Sequence, residues 1–153
     1  MELTKAFGDA QYTDALESWT WLDFGGKRPV CSSLFGDVFF DSSDGIWQLD
    51  IIDGSLVRRF SDRGELSSAI EGEGQNEILL RWLVDDAEAH GVALAPDEVY
   101  DFTTPPVLGG ALEVGNLSPM DFVVAVNIAG QIHRQVKDLP PGTPIGKVEI
   151  NPP

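Results

Sequence analysis

Few residues in this chain could do chemistry, and their spacing limits what that chemistry would be. His90 and His133 are the only histidines and Cys31 the only cysteine. A metal centre would need mostly carboxylate ligands, and neither histidine has a ligand-type residue four positions on; His133 has Lys137 there. A single cysteine excludes an intrachain disulfide or thiolate cluster and fits a reducing cytosol. Cys31 and His133 could pair in a thiol mechanism, but a lone cysteine in an extended segment reads first as a small apolar residue. No G-x-S-x-G marks a nucleophilic serine. Asp41 and Asp44 beside Gly45 resemble part of a calcium loop, yet the required later glutamate is missing, and turn chemistry accounts for them. Gly72-Glu73-Gly74 is placed like a phosphate cradle, but Glu71, Glu73 and Glu77 would repel an anion. Pro141 and Pro144 have the PxxP spacing of an SH3 ligand, but such a group far more often simply ends a helix, and that reading is preferred. Neither a metal nor a cofactor is expected.

The densest polar group is Asn127, Gln131, His133 and Gln135, with Arg134 among them. On a helical wheel Asn127, Gln131, Arg134 and Asp138 form one stripe, and Phe122, Ala125, Ala129, Ile132 and Val136 the opposite one. Two readings follow. The stripe is a structural hydrogen-bonded network at one end of a helix, or it lines a pocket for a small ligand or a reaction. The first is preferred, because half-buried polar groups need partners whatever their role.

That stripe requires a helix over Met120–Val136, the longest apolar run in the chain. Ser118, Pro119 and Asp121 supply a capping box and a first-turn proline, and Leu139-Pro140-Pro141-Gly142 supplies the stop. Upstream, Leu34–Phe40, Ile46–Ile52 and Ser55–Phe60 read as three strands joined by turns ending in Asp44-Gly45 and Asp53-Gly54, an antiparallel meander. Trp19–Leu22 and Pro29–Leu34 suggest an opening strand pair around Gly25-Gly26. Glu65–Ile70 reads as a short helix. Glu77–His90 reads as a longer one, capped by Asn76 and stopped by Gly91, with Ile78, Leu79 and Leu80 meeting Trp82, Leu83 and Val84. Pro96–Tyr100 suggests a turn, and Val107–Val114 and Gly146–Ile150 suggest short strands. The fold class is α+β: an antiparallel β-meander packed against two longer helices, the C-terminal one central. One domain is expected over 1–153, with a short leader at 1–18 and a tail at 146–153.

Charge is unevenly spread. The chain carries 25 Asp and Glu against 10 Lys and Arg, a net charge of -15. Between Phe35 and Asp101 lie 16 acids against 4 arginines, so -12 of that total sits in this stretch. Direct nucleic-acid binding is disfavoured, since phosphate neutralisation needs clustered bases. The acid serves solubility, or it steers a basic protein partner. Asp41, Asp44, Asp85, Asp86 and Glu88 are the contact candidates, chosen by clustering. The N-terminus has no basic region followed by an apolar core, and no apolar run approaches the ~20 residues of a membrane span.

Several stretches, taken together, resemble a known family. Leu34-Phe35-Gly36-Asp37-Val38-Phe39, Gly45-Ile46-Trp47-Gln48-Leu49-Asp50, Tyr100-Asp101-Phe102 with Pro105-Pro106-Val107-Leu108-Gly109-Gly110, and Gly130-Gln131-Ile132-His133-Arg134-Gln135 with Leu139-Pro140-Pro141-Gly142 are similar to the C-terminal domain of Tdi-type immunity proteins of bacterial type VI secretion. The resemblance runs from about Trp19 to Ile145. It implies a cytoplasmic, non-enzymatic protein that binds and neutralises a cognate effector toxin, a nuclease in the case that names the family, and such a toxin would be basic. Family members often carry a larger, GAD-like region ahead of this domain, where this sequence has a short leader.

Overall fold

A computed structural model describes residues 2–153. Five strands form one antiparallel sheet in sequence order: β1 (Thr4–Lys5), β2 (Arg28–Ser33), β3 (Val38–Ser42), β4 (Gly45–Asp50) and β5 (Ser55–Phe60). Turn residues set the register. Ser42 pairs with Gly45 across the first tight turn, and Asp50 pairs with Ser55 across the second. The Asp50 carboxylate accepts hydrogen bonds from the Ile52 and Asp53 amides, a local bond that short acidic side chains make readily.

Strand alternation sends Phe39 and Ile46 to one face and Val38, Phe40 and Leu49 to the other, and both faces are buried. The first is covered by α2 (Arg63–Glu71) and α4 (Arg81–Ala89), through Leu66, Leu83, Val84 and Ala87. The second is covered by α1 (Asp9–Leu16) and α5 (Phe122–Val136), through Tyr12, Ala15, Phe122 and Val126. The meander and the packing of the C-terminal helix on it are as the sequence implies. A second two-stranded sheet, β6 (Glu98–Phe102) with β7 (Leu117–Asp121), joins the main sheet through the Tyr100 amide, which donates to the Leu34 carbonyl at 2.8 Å.

Several local expectations are corrected. Trp19 and Trp21 are not on a strand: a 3-10 turn over Glu17–Trp19 follows α1, and Trp19 is fully buried against α5, a tertiary contact that overrides local alternation. Residues 34–37 are the β2–β3 connection. The helix expected at Glu77–His90 is broken into a single turn, α3 (Gly74–Glu77), and α4. Leu80 is left-handed (φ 51°), and the Asn76 carboxamide accepts from the Trp82 amide, so a side chain competes for the amide that a continuous helix would have used. Trp82 is consequently exposed while Leu79 and Leu83 are buried. Gly91 follows α4 as expected.

Pro96–Tyr100 leads into a strand, and 3-10 turns at Pro106–Leu108 and Val114–Asn116 replace the strand expected at 107–114. Ser118 and Pro119 lie in β7, where an edge strand tolerates a residue without an N–H, so Asp121 caps α5 by accepting from the Val124 amide. Residues 146–150 form no strand; their backbone meets a helix instead.

Candidate functional site

The polar stripe of α5 is occupied by backbone. Asn127 is buried because α1 crosses it, and its amide donates to the Asp14 carbonyl at 2.9 Å. Ser18 Oγ donates to the Asn127 carbonyl at 2.6 Å and Trp19 Nε1 to the Val126 carbonyl at 2.8 Å. Gly130 permits this approach, since a Cβ there would collide with Ser18 and Trp19. Among the described residues, no buried side-chain polar atom lacks a partner.

Gln131 and Gln135, one turn apart, each hold an extended backbone by two hydrogen bonds. Gln131 donates to the Asn151 carbonyl and accepts from the Asn151 amide, both at 2.7 Å. Gln135 does the same for Glu149, at 2.6 and 2.8 Å. The geometry is a match of repeats. Side chains four apart on a helix are ~5–6 Å apart, and alternate residues of an extended chain are ~6.6 Å apart. The tail runs antiparallel to α5, and its intervening residues Val148 and Ile150 face a cavity of about 390 Å³ lined by Phe35, Tyr100, Phe102, Met120 and Ile132 among others.

His133 is one of the residues lining the cavity. Its Nε2 donates to the Ile51 carbonyl at 2.7 Å, and its ring lies against Trp19. Burial pushes the imidazole below its usual range, against the pull of the Ile51 hydrogen bond and of Asp53 and Asp50. Gly54 (φ 72°) makes the turn beside it, with no room for a Cβ next to the ring. The amide of the same Ile51 donates to Asp37 Oδ1 at 2.8 Å. Asp37 is buried, receives a second bond from Ser33 Oγ at 3.0 Å, and is pushed up to about 7, first by burial and then by Asp50. The two ends of one residue's backbone thus link a buried carboxyl to a buried imidazole. Asp101, at the cavity wall, is pushed up by burial to about 6.

Cys31 lies opposite Phe39 in the other core cluster, its thiol pushed by burial to about 11, so it is neither a thiolate nor a neighbour of His133's cluster. The described residues contain no group of three His, Cys, Asp or Glu arranged to hold a metal, and no helix long and apolar enough to cross a membrane.

The five acidic candidates differ in their surroundings. Asp41 is ion-paired with Arg63 at 3.0 Å and Arg28 at 3.5 Å. Asp44 accepts from Ser42 Oγ and Trp47 Nε1, both at 2.9 Å, which holds the exposed carboxyl below the usual carboxylate range. Asp85 pairs with Arg81 one turn away at 3.6 Å. Asp86 and Glu88 are exposed on α4 and, among the described residues, engage no cation within ion-pair distance. Sequence reasoning missed Asp37, Ser18 and the tail. Only the tail carried a signal, the four-residue spacing of Gln131 and Gln135 together with alternation in residues 148–151.

Residues 69–133 match a family model described as "T6SS immunity protein Tdi1, C-terminal". No curated protein matches the sequence. Among solved structures, the crystal structure of Atu4351 from Agrobacterium tumefaciens superposes with a TM-score of 0.57 at 19% identity, covering 84% of this chain and 66% of that one, just under two thirds of its length; the likeness is one of fold. Over residues 69–133, a little under half of its length, the chain is similar to the C-terminal part of the type VI secretion immunity protein Tdi1.

Proposed function

We propose that the chain neutralises a cognate type VI effector by stoichiometric binding in the cytoplasm, and that this effector is a basic nuclease. The family match over 69–133 carries the reading. The charge of -15 supports a basic partner, because complementary fields speed encounter and disfavour wrong partners. The same charge disfavours direct contact with nucleic acid. Of the acidic candidates, Asp86 and Glu88 are the first choice for steering, since Asp41, Asp44 and Asp85 already have local partners. Asn127 and His133 are assigned a structural role, engaged with the Asp14 and Ile51 carbonyls. Co-expression with the product of the adjacent gene tests this. Restored growth and a co-purifying complex of fixed stoichiometry are expected, and the absence of both would overturn the reading.

A further inference from the structure

We infer that the groove between α5 and the apolar cavity is a docking site for an extended segment of the effector, and that residues 148–151 are a displaceable placeholder in it. The inference rests on the immunity reading for the identity of the partner. Its geometry stands separately.

Toward the tail, Gln131 and Gln135 engage only backbone, the amides and carbonyls of Asn151 and Glu149, while within α5 they also donate to Asn127 Oδ1 and the Gln131 carbonyl. They therefore read extended conformation, not side-chain identity, as a neighbouring strand would in β-augmentation. Selectivity is left to the two side chains that alternate into the cavity. Val148 and Ile150 fill it poorly: a volume of about 390 Å³ remains, and Ile150 is still 40% exposed. A segment with aromatic or larger aliphatic residues at those two positions would bury more apolar surface with the same backbone bonds. Proline is excluded at the two paired positions, which must donate an N–H.

Two further observations bear on the occupant. The tail is joined to α5 through Pro140-Pro141-Gly142-Thr143-Pro144, an exposed link with little packing of its own, so it can leave without disturbing the core. Fourteen of the nineteen residues lining the cavity lie within 69–133, so the segment that matches the immunity-protein family model also builds most of the walls. A site made by that segment is assigned to the partner that defines the family.

The test uses the full 153-residue chain and a fluorescein-labelled peptide, Gly-Lys-Phe-Glu-Phe-Asn, which is the tail sequence with aromatics at the two cavity positions. Val148→Asp with Ile150→Asp releases the tail and is expected to tighten peptide binding about tenfold over the unaltered chain, the factor by which an internal occupant depletes the competent state. Adding Gln131→Ala and Gln135→Ala to that chain is expected to abolish binding. Circular dichroism and the denaturation midpoint confirm that each variant folds, and Gln131→Glu with Gln135→Glu, which keeps the acceptors and removes the donors, gives a second route to the same loss. A folded, tail-released chain that ignores the peptide overturns the inference. With the effector itself, the tail-released chain should form the tighter complex and the glutamine variant the weaker one. An effector complex indifferent to both changes overturns the groove while leaving the immunity reading intact, whereas no complex with the unaltered chain overturns the immunity reading.

Discussion

At the scale of single residues, the buried carboxyl of Asp37 is the most consequential side chain. The folded chain keeps its proton up to about pH 7, whereas an unfolded chain releases it near the ordinary value of 3.8. Between these values the folded state binds more protons, so stability falls as pH rises through the window and levels off above it. Asp101 acts in the same direction at lower pH. His133 acts oppositely, since its folded-state imidazole resists protonation and stability is lost as pH drops below the ordinary histidine value. Asp37→Asn keeps the bond in which its carbonyl accepts from Ile51 and loses the one from Ser33 Oγ, which already accepts from the Phe35 and residue-37 amides. We expect it to flatten urea-derived stability between about pH 4 and 7 and to raise stability at pH 8 by a few kcal/mol, on the order of 1.4 kcal/mol per pH unit of the removed shift. Unchanged pH dependence would show that the carboxyl titrates normally. Gly54→Ala combines a left-handed backbone with a clash against His133 and is expected to cost about 2 kcal/mol or more, read from the urea midpoint.

At the scale of elements, α5 is held from three sides: by the sheet, by the Trp19 turn and by the tail. Trp19→Ala removes a fully buried ring and an indole hydrogen bond and is expected to cost about 3–5 kcal/mol in chemical denaturation. The tail is different in kind. Hydrogen exchange should show the Glu149 and Asn151 amides slower than those of Val148 and Ile150, because only the first two donate to glutamine side chains. Gln131→Ala with Gln135→Ala should erase that alternation without altering exchange in β3 or β4. Uniform, fast exchange of all four amides in the unaltered chain would mean that the tail is not docked.

At the scale of the whole molecule, charge governs encounter. Reversing Asp85, Asp86 and Glu88 to Lys shifts the net charge by about six on one exposed helix, two for each acid replaced by a base. The expected result is association with the effector slowed about tenfold at low salt, with a shallower salt dependence and a melting temperature close to the original, since exposed charges contribute little to stability. Unchanged association kinetics would remove α4 from the steering surface.

The α+β class, the three-stranded meander with its Asp-Gly turns and the long C-terminal helix were legible in the sequence, because each rests on local periodicity and turn chemistry that adjacent residues settle among themselves. The polar residues of α5 were also legible as a group. What they bind was not. Asn127 meets α1, Gln131 and Gln135 meet a tail up to 20 residues onward, and His133 meets a turn 82 residues earlier. Such pairings depend on how elements dock, and no local pattern encodes them. The same distinction explains the misread segments. Trp19 alternates like a strand residue and is buried as an anchor, Pro119 looks like a helix start and lies in an edge strand, and Leu80 continues a helical pattern that Asn76 interrupts. In each case a tertiary contact or a competing side-chain hydrogen bond outweighed a propensity difference on the order of a few tenths of a kcal/mol. Composition alone determined the acidity of the surface. Only the folded chain decided which acids were already partnered and that His133, off the polar stripe, holds a turn in place.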